Sequence, residues 1–471
     1  MMRLPIGLTF SAMLLSGCSL IPDYSRPAAP VPASFPTGGA YGTPATGERA
    51  ADAIGWKEFF LDPGMRRAIE IALANNRDLR VSTLQVAEAE ATYRVQRGDL
   101  FPSIGGTGTV TYQQTPLDLT SAGRVGPSVT SRTWQATLGF TSWELDLFGR
   151  VRSLTRSAFE SYLQAEETRR AAQITLVSQV ADAYLTLLAD RELLDLARQT
   201  LASREQTYRL TDASVRGGTA TTLTLRQAQA QAETARADVA QYTRLVAQDE
   251  NALALLLGQP LPPDLLTAGD MDAPLMLADV PSGLSSEVLL RRPDVVAAEH
   301  GLKSANANIG AARAAFFPSI SLTSGIGTSG PALSRLFQPH SGAWSFAPTI
   351  NIPIFSGGAN QANLDLAKVR TNIQVATYEK TVQTAFREVA DALAARGTYG
   401  DQIKAQEALT AAYADSYRLS EARFRSGVDS YLETLDAQRS LYSAQQSLIT
   451  LRRERLANLI TLYKVLGGGV N

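Results

Sequence analysis

Leu432, Glu433, Asp436 and Arg439 are the side chains in this sequence whose types and spacing could most readily do chemistry. They fall at i, i+1, i+4 and i+7. On a helix, Leu432, Asp436 and Arg439 then share a face, with Glu433 beside them. What they offer is ion pairing and apolar contact, not bond-making. By pattern alone they also fit a solvated helix face carrying an ordinary Asp436–Arg439 pair. Bond-making chemistry has no visible seat. There is no G-x-S-x-G, no Walker motif and no HExxH. The two histidines, His300 and His340, lie in unlike settings and do not read as a metal pair. The one cysteine, Cys18, lies in a leader-like segment, so a thiol enzyme is excluded. The sequence is therefore expected to be neither an enzyme nor a holder of a cofactor or metal.

The element that must carry these residues is written twice. Tyr208-Arg209-Leu210 through Gly258 recurs as Tyr417-Arg418-Leu419 through Gly467, at a constant offset of 209. Gly218 meets Gly427, Leu223 meets Leu432, and Ala228-Gln229 meets Ala437-Gln438. Upstream, Phe101-Pro102-Ser103-Ile104 recurs as Phe317-Pro318-Ser319-Ile320, and Asp78 falls on Asp294. Such self-similarity marks one structural unit used twice. The first copy has Leu223, Thr224, Gln227 and Ala230 where the second has Leu432, Glu433, Asp436 and Arg439, so the charges belong to one half only. Each copy reads as a long helix, a glycine turn and a returning helix. From Arg150 to Arg216 there is neither Gly nor Pro, which at 1.5 Å per residue is about 100 Å of helix. The turns are Arg216-Gly217-Gly218 and Arg425-Ser426-Gly427, where glycine suits a left-handed exit. Ala232, Val239, Val246 and Leu253 form one heptad row. Ala235, Tyr242 and Leu256 form the other, with Asp249 breaking it, so antiparallel coiled-coil packing is expected. Arg66 to Arg97 is expected to be one helix, and the helix after Gly357-Gly358 is expected to loosen at Gly397 and Gly400.

Before each long helix the period changes to two. Ile104, Val110 and Tyr112 share a face, as do Trp134, Ala136, Leu138 and Phe140. The phase then slips near Ser142, which predicts a bulge. In the second copy Ile320, Leu322 and Ile326 face away from Ser321, Thr323 and Gly325. Trp344, Phe346, Pro348 and Ile350 alternate with Ser345, Ala347 and Thr349. The apolar face carries tryptophans near the ends of runs, and the opposite face is Thr, Ser and Gly rather than Lys and Glu. Each run is near the ~9–11 residues that a tilted strand needs to cross a bilayer. Open sheet edges cannot sit in lipid, and a closed barrel needs about eight strands. Four strands per chain would thus have to be pooled with other copies.

The rest of the composition agrees. A net charge of −1 and a pI near 6.3 leave no basic footprint for nucleic acid. The N-terminus has Arg3, an apolar run from Ile6 to Leu15, and Leu15-Ser16-Gly17-Cys18, a secretory signal too short to span a bilayer. The cysteine directly after Leu-Ser-Gly resembles the bacterial lipoprotein box, which would leave Cys18 as an acylated N-terminus with an outer-membrane address. A proline-rich tether follows to Pro36. The expected organisation is signal 1–17, lipidated tether 18–50, first repeat 51–258, connector 259–286 and second repeat 287–471. The hairpins would lie near 104–147 and 319–355, and the long helices at 150–257 and 359–466.

WELDLFGR at Trp143 to Arg150, LLRRPDV at Leu289 to Val295, FFPSISL at Phe316 to Leu322, RFRSGVDSYLETLDAQRSLYSAQQ at Arg423 to Gln446 and LYKVLGGG at Leu462 to Gly469 resemble a known family. It is the TolC-like outer-membrane factors of tripartite efflux pumps, in the OprM/NodT lipoprotein branch. The resemblance implies a mainly α fold with a transmembrane β part. It also implies a homotrimer with a 12-stranded barrel and a long periplasmic helical tunnel. Partners would be a periplasmic adaptor (membrane fusion) protein, an inner-membrane RND-type transporter and outer-membrane lipid. Leu432, Glu433, Asp436 and Arg439 would then line the periplasmic gate. Arg216, Gly217, Gly218, Arg425, Ser426 and Gly427 would be adaptor-contact turns. The expected function is a passive exit duct for multidrug or xenobiotic efflux. The alternatives are a duct for metal-ion efflux or type I protein secretion, or, in a different class, a coiled-coil envelope scaffold.

Overall fold

The computed structural model describes residues 19–41, 53–116, 128–267, 271, 273–277 and 285–469. Cys18 and the signal segment lie outside these described residues. The helices are α1 (Trp56–Phe59), α2 (Pro63–Asn75), α3 (Arg77–Gly98), α4 (Arg150–Arg216), α5 (Thr222–Leu257), α6 (Pro263–Thr267), α7 (Pro293–Ala314), α8 (Ala359–Arg425) and α9 (Tyr431–Val465). The strands are β1 (Gly105–Thr115), β2 (Val129–Leu145), β3 (Ser319–Gly330) and β4 (Gly342–Asn351). They fall into two compact units, and neither unit is a sequence half: each draws segments from both copies.

The first unit holds Gln85–Ala165, Ala298–Tyr378 and the described residues up to Pro27. Its four strands form one antiparallel sheet in the order β1-β2-β3-β4. The register pairs apolar with apolar across β3 and β4: Ile320 with Ile350, Leu322 with Pro348 and Ile326 with Trp344, with Ser324 against Phe346 the exception on that face. Small and polar residues pair between them, Ser321 with Thr349 and Gly325 with Ser345. The sheet covers no core of its own. Every residue of β4 is exposed, Trp344 at 80% and Ile350 at 61%. The register slips between Phe140 and Trp143, where Ser142 takes φ 54° and its N–H donates to Thr323 Oγ1 at 3.1 Å. The bulge shifts the side-chain phase, so Trp143 rejoins the apolar face. The chain from Leu20 to Arg26 is strapped along α7. Arg313 donates to the Leu20 carbonyl at 3.2 Å, Asn306 to the Pro22 carbonyl at 2.8 Å, and Tyr24 and Arg26 to Glu299 at 3.2 and 2.7 Å. Gly310 leaves room for the strap, because a Cβ there would lie 2.7 Å from Ile21 Cγ1.

The second unit holds Ala28–Leu84, Glu166–Ala297 and Glu379–Asn471. Its apolar centre is aromatic. Phe59 stacks on Tyr463 at 4.0 Å, Phe60 meets both rings edge-on, and Tyr463 donates to the Ile54 carbonyl at 2.6 Å. Two expectations are corrected here. Arg66 to Arg97 is not one helix: Asn76 divides α2 from α3. It adopts ψ 133°, accepts from the Leu79 N–H at 2.9 Å as a cap, and donates to the Leu256 carbonyl at 2.9 Å. Nor does α8 loosen at Gly397 and Gly400; it is continuous from Ala359 to Arg425. Gly397 serves close approach instead, since a Cβ would fall 2.1 Å from the Ala40 carbonyl oxygen.

Candidate gate at the tips of the helix hairpins

The two hairpin turns are the same hydrogen-bonded device made twice. Gly218 N–H donates to Val215 and Thr219 N–H to Ser214, at 3.0 and 2.9 Å. In the second copy Gly427 N–H donates to Phe424 and Val428 N–H to Arg423, both at 3.0 Å. Gly218 and Gly427 sit at φ 75° and 76°, a left-handed conformation that costs a residue with a Cβ about 1–2 kcal/mol. Around this common frame the side chains differ. In the first copy the Thr221 hydroxyl caps the returning helix by accepting from the Thr224 N–H at 3.2 Å. In the second, Ser430 makes no such cap. There the turn is braced by Arg423, which donates to both oxygens of Asp429, at 2.5 and 2.9 Å. That contact holds the exposed Asp429 carboxyl below its usual range. Arg216 and Arg425 are both exposed and each is paired one turn back, with Asp212 at 2.7 Å and Glu421 at 2.8 Å.

From Ser430 the helix α9 divides its faces sharply. Tyr431, Thr434, Leu435 and Gln438 are buried, and Tyr431 and Leu435 pack on Ala228 and Tyr208 of the first hairpin. Leu432, Glu433, Asp436 and Arg439 all fall on the exposed side. Leu432 is 50% exposed. Asp436 and Arg439 stand 3.9 Å apart, a loose surface pair that contributes little to stability. The structure therefore brings the four sequence candidates onto one free face while their neighbours anchor the helix from behind.

Sequence reasoning missed how that anchoring is done. A cleft of about 410 Å³ separates the hairpins at the tip, between Thr207 and Leu210 on one side and Phe424 and Tyr431 on the other. Beyond it, Tyr442 of α9 donates to Asp238 of α5 at 3.1 Å, and Gln446 donates to the Tyr242 hydroxyl at 3.0 Å. Arg204 of α4 is 3% exposed. It lies 5.2 Å from the Tyr442 ring centroid, and donates to the Gln231 carbonyl at 3.2 Å. Burial pushes this guanidinium below its ordinary range. A buried arginine in a long polar helix gives no periodic signal, so the sequence could not single it out. Among the described residues no group of three or more His, Cys, Asp or Glu side chains could hold a metal ion.

A bare four-stranded sheet joined to long paired helices, with charge rather than reactive groups at the hairpin tips, defines a class: channel-forming proteins of the outer membrane. The chain belongs to the outer membrane efflux protein family, whose model matches residues 68–259 and 284–468. It is 50% identical over 464 residues to the toluene efflux pump outer membrane protein TtgC of Pseudomonas putida, covering 98% of this chain and 95% of that protein. It is 44% identical to the outer membrane protein OprJ of Pseudomonas aeruginosa, covering 97% and 94%. Among solved structures, the open state of the Neisseria gonorrhoeae MtrE outer membrane channel superposes with a TM-score of 0.87 at 39% identity, covering 96% of this chain and 99% of that one. The protein is an outer-membrane efflux channel of a transport family, not a member of an enzyme family.

Proposed function

We propose that three copies of this chain pool their strands into one closed twelve-stranded barrel. The resulting duct would be the passive exit of an RND-type tripartite pump for apolar xenobiotics. The observation that carries the reading is the sheet: β1 and β4 are edge strands, and β4 is exposed along its whole length. In lipid each unpaired edge group costs several kcal/mol, so the edges must pair with sister copies. Three times four strands meets the ~8 or more that a closed barrel needs. Relatives named for toluene and antibiotic efflux favour apolar solutes over metal ions or secreted proteins. A coiled-coil scaffold would have no use for an exposed apolar sheet.

Leu432, Glu433, Asp436 and Arg439 form the gate. Three-fold symmetry gathers three copies of their free face around the axis, where carboxylates narrow the opening and favour cations and Leu432 adds an apolar ring. The turns Arg216-Gly217-Gly218 and Arg425-Ser426-Gly427 receive the periplasmic adaptor, which links the duct to the inner-membrane transporter. The strap along α7 brings Leu20 to the end of the helix that leads into β3. The test is single-channel conductance in a planar bilayer. The double variant Asp436→Ala, Arg439→Ala conducts several-fold more than the parent. Unchanged conductance refutes the gate assignment.

A further inference from the structure

The sheet is nearly free of charge, and its few charges lie at opposite ends. Among the described residues of 105–145 and 319–351, the Lys, Arg, Asp and Glu side chains are Arg132, Glu144 and Arg335 alone. Glu144 stands where β2 approaches α4, and the Arg150 Nε donates to it at 2.9 Å. Arg132 and Arg335 stand at the other end, where the strands turn back away from the helices, and both are exposed. Neither has an ion-pair partner among the described residues. We propose that Arg132 and Arg335 form a site for the phosphate of an outer-leaflet lipid headgroup. The site rests on the reading that the apolar face of the sheet meets lipid.

The register puts both cations on that face. Leu138, Ile326 and Trp344 form one of its rungs. Two same-face rungs further out, Trp134 stands between Val110 and Gly330, and beyond it Arg132 pairs with Tyr112. Arg132 thus lies about 7 Å past Trp134 along β2. Its guanidinium carbon is 5.8 Å from the Tyr112 ring centroid, so the cation is held over a ring of the apolar face. Arg335 reaches the same place from the β3–β4 connection. A Cβ on Gly330 would share the face of Trp134 and would lie 3.4 Å from the Arg335 carbonyl and 3.6 Å from the Arg335 Cβ. The Arg335 side chain therefore starts over the strand next to Trp134, about 5 Å across the sheet. The connection that holds it is folded. The Ser329 N–H donates to the Ser341 carbonyl at 2.8 Å, the Ser341 N–H to the Gln338 carbonyl at 3.1 Å, and Leu336 is buried.

Tryptophans at the ends of barrel strands sit at headgroup level. One arginine there needs only to lift its head into water. Two on one face, with no acid between them, repel each other and gain from a shared anion. The planar guanidinium fork matches phosphate oxygens through paired, charge-assisted hydrogen bonds. Towards the helices, the exposed Ile326 and Trp344 continue the apolar surface that acyl chains would cover. A phosphorylated lipid meets both parts of this surface, whereas free phosphate meets only the cations.

The site is tested on the full-length protein in detergent by native mass spectrometry. The probes are lipid A, which carries phosphates on its sugars, its dephosphorylated form, and inorganic phosphate. The wild type should hold lipid A about ten-fold more tightly than the dephosphorylated lipid, and inorganic phosphate should not displace it. The double variant Arg132→Gln, Arg335→Gln should lose that preference and bind both lipids alike. Equal binding of the two lipids by the wild type, or an unchanged preference in the double variant, overturns the site. Displacement of lipid A by inorganic phosphate overturns the lipid assignment in favour of a free-anion site. Should the double variant fail to assemble, the two-lipid comparison on the wild type decides alone. The reading beneath the proposal fails differently. If the apolar face does not meet lipid, Ile350→Arg assembles as well as Thr349→Arg. If only the lipid site is wrong, Ile350→Arg still fails to assemble while lipid A binding ignores Arg132 and Arg335.

Discussion

Asp436 and Arg439 stand in contact but not in a tight bond, and that geometry fits a residue pair meant to separate. A pair 3.9 Å apart and over 60% exposed contributes little to folding, so removing it leaves the helix intact. Gly427 is different in kind. At φ 76° it meets nothing where a Cβ would stand, so space is free and only backbone strain opposes a side chain. Gly427→Val should therefore loosen the second hairpin tip by about 1–2 kcal/mol. Local hydrogen exchange at Phe424 to Tyr431 should rise while the aromatic centre around Tyr463 is unchanged. Protection equal to the parent at the tip would mean that the turn is held by the Arg423–Asp429 brace rather than by glycine. A third residue, Arg204, makes the sharpest contrast with Asp436 and Arg439: it is buried, under Tyr442, and short of partners at Nε. Arg204→Ala leaves the Gln231 carbonyl without that donor and opens space beneath the ring. A loss of about 1–3 kcal/mol in chemical denaturation is expected, well above that of Arg439→Ala.

The helices and strands obey different amounts of local information. α4 has no Gly or Pro within it, and its 67 residues were legible because nothing stops it before Gly217. The bulge at Ser142 was legible because the alternation visibly changes phase. Asn76 was not legible, because its effect is tertiary. An asparagine within a helical pattern becomes a break only when its amide finds the Leu256 carbonyl of another helix. Gly397 failed in the opposite direction. A mid-helix glycine reads as weakness, yet here it admits the Ala40 backbone. The shared face of Leu432, Asp436 and Arg439 was legible as a spacing, and its exposure followed from Tyr431, Leu435 and Gln438 taking the buried side. An element-scale test is Asn76→Ala, which removes the cap of α3 and the tie to α5. The expected loss is about 1–2 kcal/mol, seen as a lower denaturation midpoint.

For the whole molecule the decisive question is which solvent meets the sheet. The alternation on β4 puts Ile350 on the apolar face and Thr349 on the small polar one, one residue apart and on the same strand. Both are exposed in the single chain, so neither position distinguishes lipid from water by itself. An arginine does. On a lipid-facing position near the bilayer middle it costs about 2–4 kcal/mol, and three copies incur that cost together in one barrel. On the lumen face it meets water and costs little. Ile350→Arg should therefore abolish the assembled oligomer in outer-membrane fractions, as read on native gels without heating. Thr349→Arg should assemble normally and change conductance instead. In a water-soluble sheet the order reverses or vanishes, because an exposed isoleucine replaced by arginine gains solvation. Equal assembly of the two variants would remove the lipid-facing barrel, and with it the need for three chains to share one.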